Sequence, residues 1–400
     1  MFGIFNSKKK YELSLVFDIR SSSVGGALIQ AEETGVPKII FSVREPIAEG
    51  EDVFNIDKFL FSMTQALDMV ASRIWKSGLG VPKKIFCVLS SPWHVSQRRI
   101  ISLKKDKPFV FSLKLADDLI KKEVLAFQET HLAQYAKTQQ AVRLIELHNV
   151  KTKLNGYATH NLLDQKVEEV EMTLFISMSP EQVLSNIEDV IRKYFHFENI
   201  KYSSFTMSSF AVVHNLFINK ANFLLIDVGG EVTDISMVKK NVLRESISFP
   251  MGRHFIIREL ASLLSCSMSH AESYLSLYHL GHADTKTQKK LKPMIDKLQA
   301  EWLKNFQESL ANLSKDISVP YTIYLSADED FLQFFGEIIK AEQFNQYTLT
   351  ESKFQIAYLN SETLHGVADF GKDTIRDPFL VIDSAYINHF LVYPAQAGQI

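Results

Sequence analysis

The sequence predicts an internally duplicated α/β protein, and three observations support this fold class. The stretches LVFDIRSSSVGGALI (15–29) and LLIDVGGEVTDISMV (224–238) share one arrangement, in which an apolar run, an aspartate and a turn of small residues precede an alternating run. Each stretch is followed by a third strand-like segment and then by apolar residues at helical spacing. Between them, residues 97–170 differ in character, which predicts an inserted α+β unit. Self-similarity of this kind indicates a repeated structural unit.

The first half is predicted to contain a meander of three strands and then a helix. Alternating apolar residues mark the strands, and apolar positions three and four apart mark the helix, which ends at the glycines and proline of SGLGVP. The predicted elements are strands near 13–17, 24–29 and 38–45, a helix over 56–76 and a strand over 85–89.

The insertion is predicted to begin with a basic, turn-rich stretch that contains Arg98, Arg99, Lys104, Lys105 and Lys107. The remaining predicted elements, in chain order, begin with a helix over 116–128, strands over 141–153 and 167–178, a helix over 180–194, and then a strand and a helix near 206–218. They continue with two strands around a glycine turn over 223–238, a strand over 242–249, helical segments over 254–279 and 287–313, a strand over 321–325, a helix over 331–341 and an apolar helical stretch over 378–392.

Composition excludes several classes of function. The 400 residues carry 44 Lys and Arg against 46 Asp and Glu, a balance that argues against nucleic acid as a partner. We expect Cys87 and Cys266 to be reduced core residues in a cytoplasmic protein. No apolar run reaches the roughly 18–20 residues of a membrane span, so we expect no transmembrane segment. We expect His94 to be a loop histidine beside a partly buried Trp93. His254 and His270 have no Cys or carboxylate partner at metal-binding spacing, and solvated or hydrogen-bonded roles are expected for both.

The two small-residue turns carry the chemistry of a phosphate site. Such turns expose backbone N–H groups, which bind phosphate oxygens, and an aspartate at a strand end can hold Mg²⁺ through water. Asp18 and Asp227 are therefore candidate Mg²⁺ ligands, and two facing turns could hold a nucleotide from opposite sides. No catalytic residue is predicted.

These turns resemble the two phosphate loops of the actin/Hsp70/sugar-kinase ATPase superfamily, and SISFPMGRHFIIRELASLLSCSMSHAESYL (246–275) is similar to the matching segment of its FtsA/PilM branch. The resemblance implies an RNase H-like duplicated core with an inserted SHS2-type subdomain. It matches Asp18, Ser21, Ser22 and Ser23 to the first loop, Asp227, Gly229, Gly230, Thr233 and Asp234 to the second loop, Gly252 to a later turn and Ser326 to the adenosine motif.

The resemblance also divides the chain into subdomains. The implied limits are a flexible leader at 1–10, subdomain 1A at 11–96 and 171–220, the SHS2-like subdomain 1C at 97–170, subdomain 2A at 221–250 and 318–400, and a helical subdomain 2B at 251–317.

Departures from the family pattern argue against ATP–Mg²⁺, the cofactor that the resemblance implies. Arg20 and Glu231 stand where the loops usually have glycine, and a carboxylate beside a triphosphate costs a few kcal/mol unless Mg²⁺ or Arg20 compensates. At the adenosine motif, a turn expected to lie flat against the nucleotide contains residues 326–330, SADED, in place of glycines. The segment SFTMSSFAVV (204–213) offers only hydroxyl groups to orient a water. We therefore expect no hydrolysis.

The resemblance implies a cytoplasmic scaffold at the inner membrane, similar to PilM, that binds the short cytoplasmic tail of a membrane protein in type IV pilus or type II secretion assembly. An FtsA-like cell-division protein that tethers filaments to the membrane, and so self-associates, is an alternative. The tail AYINHFLVYPAQAGQI (385–400) has no Lys or Arg and fits a membrane-binding amphipathic helix poorly. An active ATPase or kinase is a second alternative.

Overall fold

The computed structural model describes residues 12–33, 35–47, 55–134, 141–158, 163–314, 318–341, 353–372 and 374–393. The predicted leader and the last seven residues of the predicted tail lie outside these ranges. The described chain forms three sheets, with helices packed against them, and the predicted duplicated α/β fold with an additional α+β unit is confirmed.

The first half begins with the predicted meander and helix. Asn55 caps the helix by accepting a hydrogen bond from the N–H of Lys58, and the helix buries a stripe that includes Leu60, Leu67 and Ile74. The elements are β1 (Glu12–Ile19), β2 (Ser23–Ala31), β3 (Lys38–Pro46), α1 (Ile56–Lys76) and β4 (Lys84–Leu89).

Over its described residues, the insertion forms a four-stranded antiparallel sheet with one helix. Its elements are β5 (Val95–Phe111), α2 (Leu113–Gln134), β6 (Val142–Leu154), β7 (Tyr157–Ala158) and β8 (Gln165–Pro180). The prediction of a turn-rich stretch from Gln97 was wrong, because these residues belong to the long edge strand β5. Edge strands commonly carry lysines on their open side, and a register shift between Lys104 and Phe109 accommodates the charged run.

The second half repeats the first. After α3 (Glu181–Phe195), β9 (Ile200–Ser204) and α4 (Phe205–Leu216) come the strands β10 (Asn222–Val228), β11 (Thr233–Lys239) and β12 (Val242–Phe249). The chain continues with α5 (Arg253–Leu264), α6 (Met268–His279), α7 (Thr285–Leu313), β13 (Thr322–Ala327), α8 (Glu329–Ala341), β14 (Gln355–Tyr358), β15 (Asp369–Phe370), α9 (Pro378–Tyr386) and a π-helical segment, Ile387–Val392. The two short strands β14 and β15 were not predicted.

Sheet topology shows the duplication directly. The first sheet has the order β15-β3-β2-β1-β4-β9, and the second has the order β12-β11-β10-β13-β14. In each sheet an antiparallel meander is followed by two strands parallel to its first strand. The two small-residue turns, β1–β2 and β10–β11, therefore occupy equivalent places at the carboxyl ends of β1 and β10.

The core joins the two halves. One apolar cluster combines residues of both sheets with α4 and α9, so that Phe223 and Tyr324 of the second sheet share it with Val16 and Ala27 of the first. Separate clusters fill the outer face of each half and the insertion. Within the described ranges, the helices are all too short or too polar to cross a membrane.

Candidate functional site

The two small-residue turns lie in direct contact with each other. The hydroxyl of Ser21, in the first turn, accepts a hydrogen bond of 3.1 Å from the N–H of Glu231 in the second. A Cβ on Gly230 would come within 3.0 Å of the backbone of Ser21 and Ser22, which places the backbones of the two turns at van der Waals separation. The space that a phosphate chain would need between the turns is filled by the turns themselves.

The second turn also occupies the N-terminus of α5. The N–H groups of Arg253 and His254 donate to the carbonyls of Gly229 and Gly230, at 3.0 and 2.9 Å. Gly252 allows this close approach, because a Cβ there would lie 2.3 Å from the carbonyl oxygen of Gly229. A helix N-terminus is a ready anion site only while its N–H groups are available, and here these two bind backbone carbonyls instead.

The side chain of Arg20 extends from the first turn to Asp227, near the end of β10. Its Nη2 donates to both carboxylate oxygens of Asp227, at 2.7 and 2.8 Å, and its Nη1 donates to the hydroxyl of Ser90 at 3.2 Å. The guanidinium lies 3.8 Å from the ring centroid of Phe379 and 4.8 Å from that of Phe205. The side chain is 1% exposed, so this ion pair is inside the protein.

Arg44 engages the other predicted Mg²⁺ ligand. Its Nη2 donates to Asp18 at 2.6 Å, and it also pairs with Asp377, the residue that caps α9. Burial raises the pKa of Asp18, although Arg44 and Arg20 oppose this effect. Burial also acts to raise the pKa of Asp377, but Arg44, together with a backbone N–H and Arg20, outweighs it and lowers that pKa. Each candidate Mg²⁺ ligand thus has a guanidinium beside it, where a metal ion would have to lie. These residues do not fit an ATP–Mg²⁺ complex.

Glu231 does not face the cleft between the turns as expected. Its carboxylate accepts hydrogen bonds from Arg258 at 2.8 and 2.9 Å and lies 2.8 Å from Nδ1 of His254, both on α5. Burial raises the pKa of Glu231, but the hydrogen bonds and charges of these two partners outweigh it and lower the pKa to about 2. The partners of Glu231 are Arg258 and His254 of α5, and not Arg20. Arg20 pairs with Asp227.

The acidic run of the predicted adenosine motif is not a flat turn. Ser326 lies in β13, and its hydroxyl donates to Asp227 at 2.7 Å. Asp328 pairs with Arg253 at 3.2 Å, and Glu329 and Asp330 form the first turn of α8, where acidic side chains favour the helix N-terminus. The prediction of a turn was wrong, because β13 ends at Ala327 and α8 begins at Glu329, which leaves only Asp328 between them.

The remaining predicted residues stabilise the second turn. The hydroxyl of Thr233 donates to the carbonyl of Met251 at 2.7 Å. Asp234 accepts hydrogen bonds from Ser91, at 3.0 Å, and from Ser248. Burial is the largest influence on Asp234 and raises its pKa to about 6. The first turn closes through the N–H of Arg20, which donates to the carbonyl of Ser23.

Comparisons with known proteins agree with this architecture. No family model and no curated protein matches the chain. Among solved structures, the PilM–PilN type IV pilus biogenesis complex matches with a TM-score of 0.56 at 13% identity, covering 96% of this chain and 97% of the matched chain. This chain has the actin-like ATPase fold. The ethanolamine utilization protein EutJ from Carboxydothermus hydrogenoformans (TM-score 0.41, 10% identity, 97% and 90% coverage) and an actin-like protein of unknown function from Bacteroides thetaiotaomicron (0.39, 9%, 89% and 94%) also match.

Within this actin-like fold, a groove of about 440 Å³ lies between α6 and α8, beside the end of β13. Glu272 and Asp330 contribute carboxylates to it, and Phe331 and Phe334 contribute aromatic surface. The residues that line this groove belong to α6 and α8, and the residues of the two turns are not among them.

Sequence reasoning missed the arginine of β3 and its partner. Arg44 lies in the apolar strand KIIFSVREP, and a charged residue in a strand that is otherwise mostly apolar is the signal that could have identified it. Asp377 precedes Pro378 in an N-cap pattern, which indicated a helix start but gave no sign of an ion pair. The two residues are 333 positions apart in the chain, so only the fold brings them together.

Proposed function

We propose that this protein is a cytoplasmic, membrane-peripheral scaffold with a degenerate nucleotide site. In this proposal it binds the cytoplasmic tail of an inner-membrane protein in type IV pilus or type II secretion assembly. The observation that carries the proposal is the ion pair of Arg20 with Asp227, the carboxylate that the family resemblance assigns to Mg²⁺ binding. Likeness to PilM, solved as a complex with PilN, supports the kind of partner.

The ion pairs remove the need for a nucleotide. In an actin-like ATPase fold that uses ATP, Mg²⁺ would offset the negative charge of the phosphates and of the aspartates in the two turns. Here Arg20 and Arg44 neutralise Asp227 and Asp18 within the chain itself. A permanently paired cleft keeps the two halves in one arrangement, which is the property that a scaffold needs and a nucleotide switch lacks.

One observation favours nucleotide binding as a second candidate. The groove between α6 and α8 lies at the end of β13, where the family resemblance places the adenosine motif. A nucleoside, or the nucleoside part of a nucleotide, could occupy this groove. This candidate retains ligand binding but not hydrolysis.

A thermal-shift titration separates these candidates. A ligand at a hundredfold its dissociation constant stabilises the folded state by about 2.7 kcal/mol, which a melting curve detects readily. We expect a flat response to ATP–Mg²⁺ up to millimolar concentration, for the wild type and also for Glu231→Gly, because Glu231 points to α5. A rise in melting temperature with ATP but not with Mg²⁺ alone would contradict the proposal, and an equal rise with adenosine would favour the α6–α8 groove.

The partner is tested by co-purification from membranes. The tagged full chain, co-expressed with the products of the neighbouring genes, should recover an inner-membrane protein with a short cytoplasmic tail. Recovery of soluble metabolic proteins alone would contradict the scaffold proposal.

A further inference from the structure

Three large apolar side chains form an exposed patch where α1 ends and the chain continues to β4. Trp75, in the last turn of α1, is 59% exposed, and Leu79 and Val81 in the following loop are 50% and 79% exposed. A single exposed apolar residue needs no explanation, but a cluster of them marks a surface that contacts a partner or a membrane. These three residues are the α1–β4 patch.

The loop that carries the patch is anchored to the first strand. The N–H of Lys83 donates to the carbonyl of Leu13 at 2.8 Å, and Pro82 is buried. A Cβ on Gly80 would come within 3.0 Å of the side chain of Leu13, so the backbone of the loop lies directly against β1. The apolar side chains therefore extend into solvent from a fixed loop.

Positive charge surrounds the α1–β4 patch. Lys76 and Lys83 flank it in the sequence, are exposed, and form no ion pair within the described ranges. Glu12, at the start of the neighbouring strand β1, is paired with Lys84 at 2.9 Å. The sequence directly before β1 adds three lysines, at positions 8–10. The free charges at this end of the first sheet thus include several lysines.

This composition fits a lipid surface better than a protein partner. The buried centres of protein interfaces are enriched in aromatic residues but depleted in lysine. At a membrane surface the two occur together, because tryptophan favours the headgroup region and lysine ammonium groups reach anionic headgroups while their apolar stems stay on the bilayer.

We propose that the α1–β4 patch contacts the surface of an anionic bilayer. Trp75, Leu79 and Val81 lie among the lipid headgroups, and Lys76 and Lys83 bind lipid phosphates. This inference deepens the proposed function and rests on it, because a membrane-peripheral scaffold has one face towards the bilayer. One such patch gives weak and reversible binding, so the membrane partner's tail supplies the second attachment.

Tryptophan fluorescence tests the contact directly. The chain has three tryptophans, and Trp93 and Trp302 are 5% and 0% exposed, so Trp75 is the one that a bilayer can reach. Vesicles of equal parts phosphatidylcholine and phosphatidylglycerol should shift the emission of the full chain to shorter wavelength, and brominated acyl chains should quench it. Vesicles of phosphatidylcholine alone should do neither. Trp75→Phe should abolish the shift.

Vesicle flotation measures the contributions of apolar contact and charge. Lys76→Gln and Lys83→Gln should each weaken binding to the phosphatidylglycerol vesicles by about fivefold, and added salt should weaken the wild type in the same direction. Leu79→Ser/Val81→Ser should weaken binding by about tenfold or more, because both side chains lose apolar contact.

Two matched controls change similar residues in the second half of the protein. Leu280→Ser replaces a leucine that is 61% exposed at the end of α6. Lys286→Gln/Lys290→Gln replaces two exposed lysines of α7. Both variants should bind vesicles within about twofold of the wild type, since neither position belongs to the patch. Melting curves of each variant separate a loss of binding from a loss of folding.

Several results would overturn the inference. They are the absence of an emission shift with phosphatidylglycerol vesicles, equal binding to phosphatidylcholine alone, and an equal loss of binding in the control variants. A second copy of the chain on the patch would give a dimer in sedimentation that Trp75→Ser dissociates, and this result would also refute it.

Co-purification separates this inference from the proposed function. If Leu79→Ser/Val81→Ser recovers the inner-membrane protein and the wild type does not bind vesicles, the lipid inference fails and the scaffold function stands. If the wild type binds vesicles through the patch but recovers no membrane protein, the proposed partner fails and the lipid surface remains.

Discussion

Replacement of Arg20 by methionine tests whether the arginine acts as a built-in substitute for the metal. The variant retains an apolar chain of similar length against Phe205 and Phe379 but leaves the carboxylate of Asp227 without its cation. We expect a large loss in the free energy of unfolding, since a buried charge is left uncompensated.

The magnitude follows from the surroundings of both groups. Removal of one partner of a buried ion pair costs about 3–5 kcal/mol. Asp227 keeps the hydroxyl of Ser326 as a donor and is 12% exposed, so the lower end of that range, about 3 kcal/mol, is expected. The double variant Arg20→Met/Asp227→Leu removes both charges and should cost less than the sum of the two single variants, because an apolar pair of similar volume avoids the uncompensated charge.

The assay is urea unfolding followed in parallel by circular dichroism and tryptophan fluorescence, which also checks that a two-state treatment holds. Arg192→Ala is the matched control, since Arg192 pairs with Asp189 at 3.0 Å on the surface. It should change stability by no more than about 1 kcal/mol. A cost below about 1 kcal/mol for Arg20→Met, or additivity of the two single changes within about 0.5 kcal/mol, would refute the reasoning.

Three further predictions concern other buried acids. Glu231→Gln should lower the free energy of unfolding at neutral pH by up to about 3 kcal/mol, because the pKa of Glu231 is depressed in the folded state. The difference from the wild type should vanish as pH falls from 4.5 to about 2, and urea unfolding at a series of pH values measures it. Asp234→Asn should raise the free energy of unfolding above pH 6 by up to about 3 kcal/mol and leave it unchanged below pH 3.8, because the pKa of Asp234 is raised in the folded state. Equal melting temperatures of the variant and the wild type at neutral pH would contradict this prediction. Glu146 of the insertion accepts hydrogen bonds from Ser203 and Ser204 of β9, so Glu146→Ala should cost about 3 kcal/mol or more and speed limited proteolysis within the insertion.

The sequence was most informative where structure depends on local periodicity. The helix over 56–76 and the strand over 242–249 were predicted at their observed limits. The spacing of apolar residues along the chain indicates which side of a helix or strand is buried. The strand β5 was missed because its exposed face is densely charged, which hides its alternation. The very short strands β14 and β15 carry too few residues for any pattern.

For the candidate site, the sequence supplied the residues and not their partners. Asp18, Arg20, Asp227 and Glu231 were each identified from the two turns. The sequence did not identify the partners of Glu231, because a side chain at a turn can point to either side of it, and here it lies against Arg258 and His254 of α5.

The duplicated α/β fold, its two aspartate turns and the departures at Arg20 and Glu231 could all be predicted from the sequence. The contact between the turns, and the neutralisation of the aspartates by Arg20 and Arg44, could not be predicted from it. The cause is distance along the chain. Arg20 and Asp227 are 207 residues apart, and Arg44 and Asp377 are 333 apart, so the choice of partner depends on how the sheets pack. The spacing of apolar residues recurs along each helix and strand, so it can be recognised in the sequence. The partner of a charged residue depends on the distance between the two charges in the folded protein.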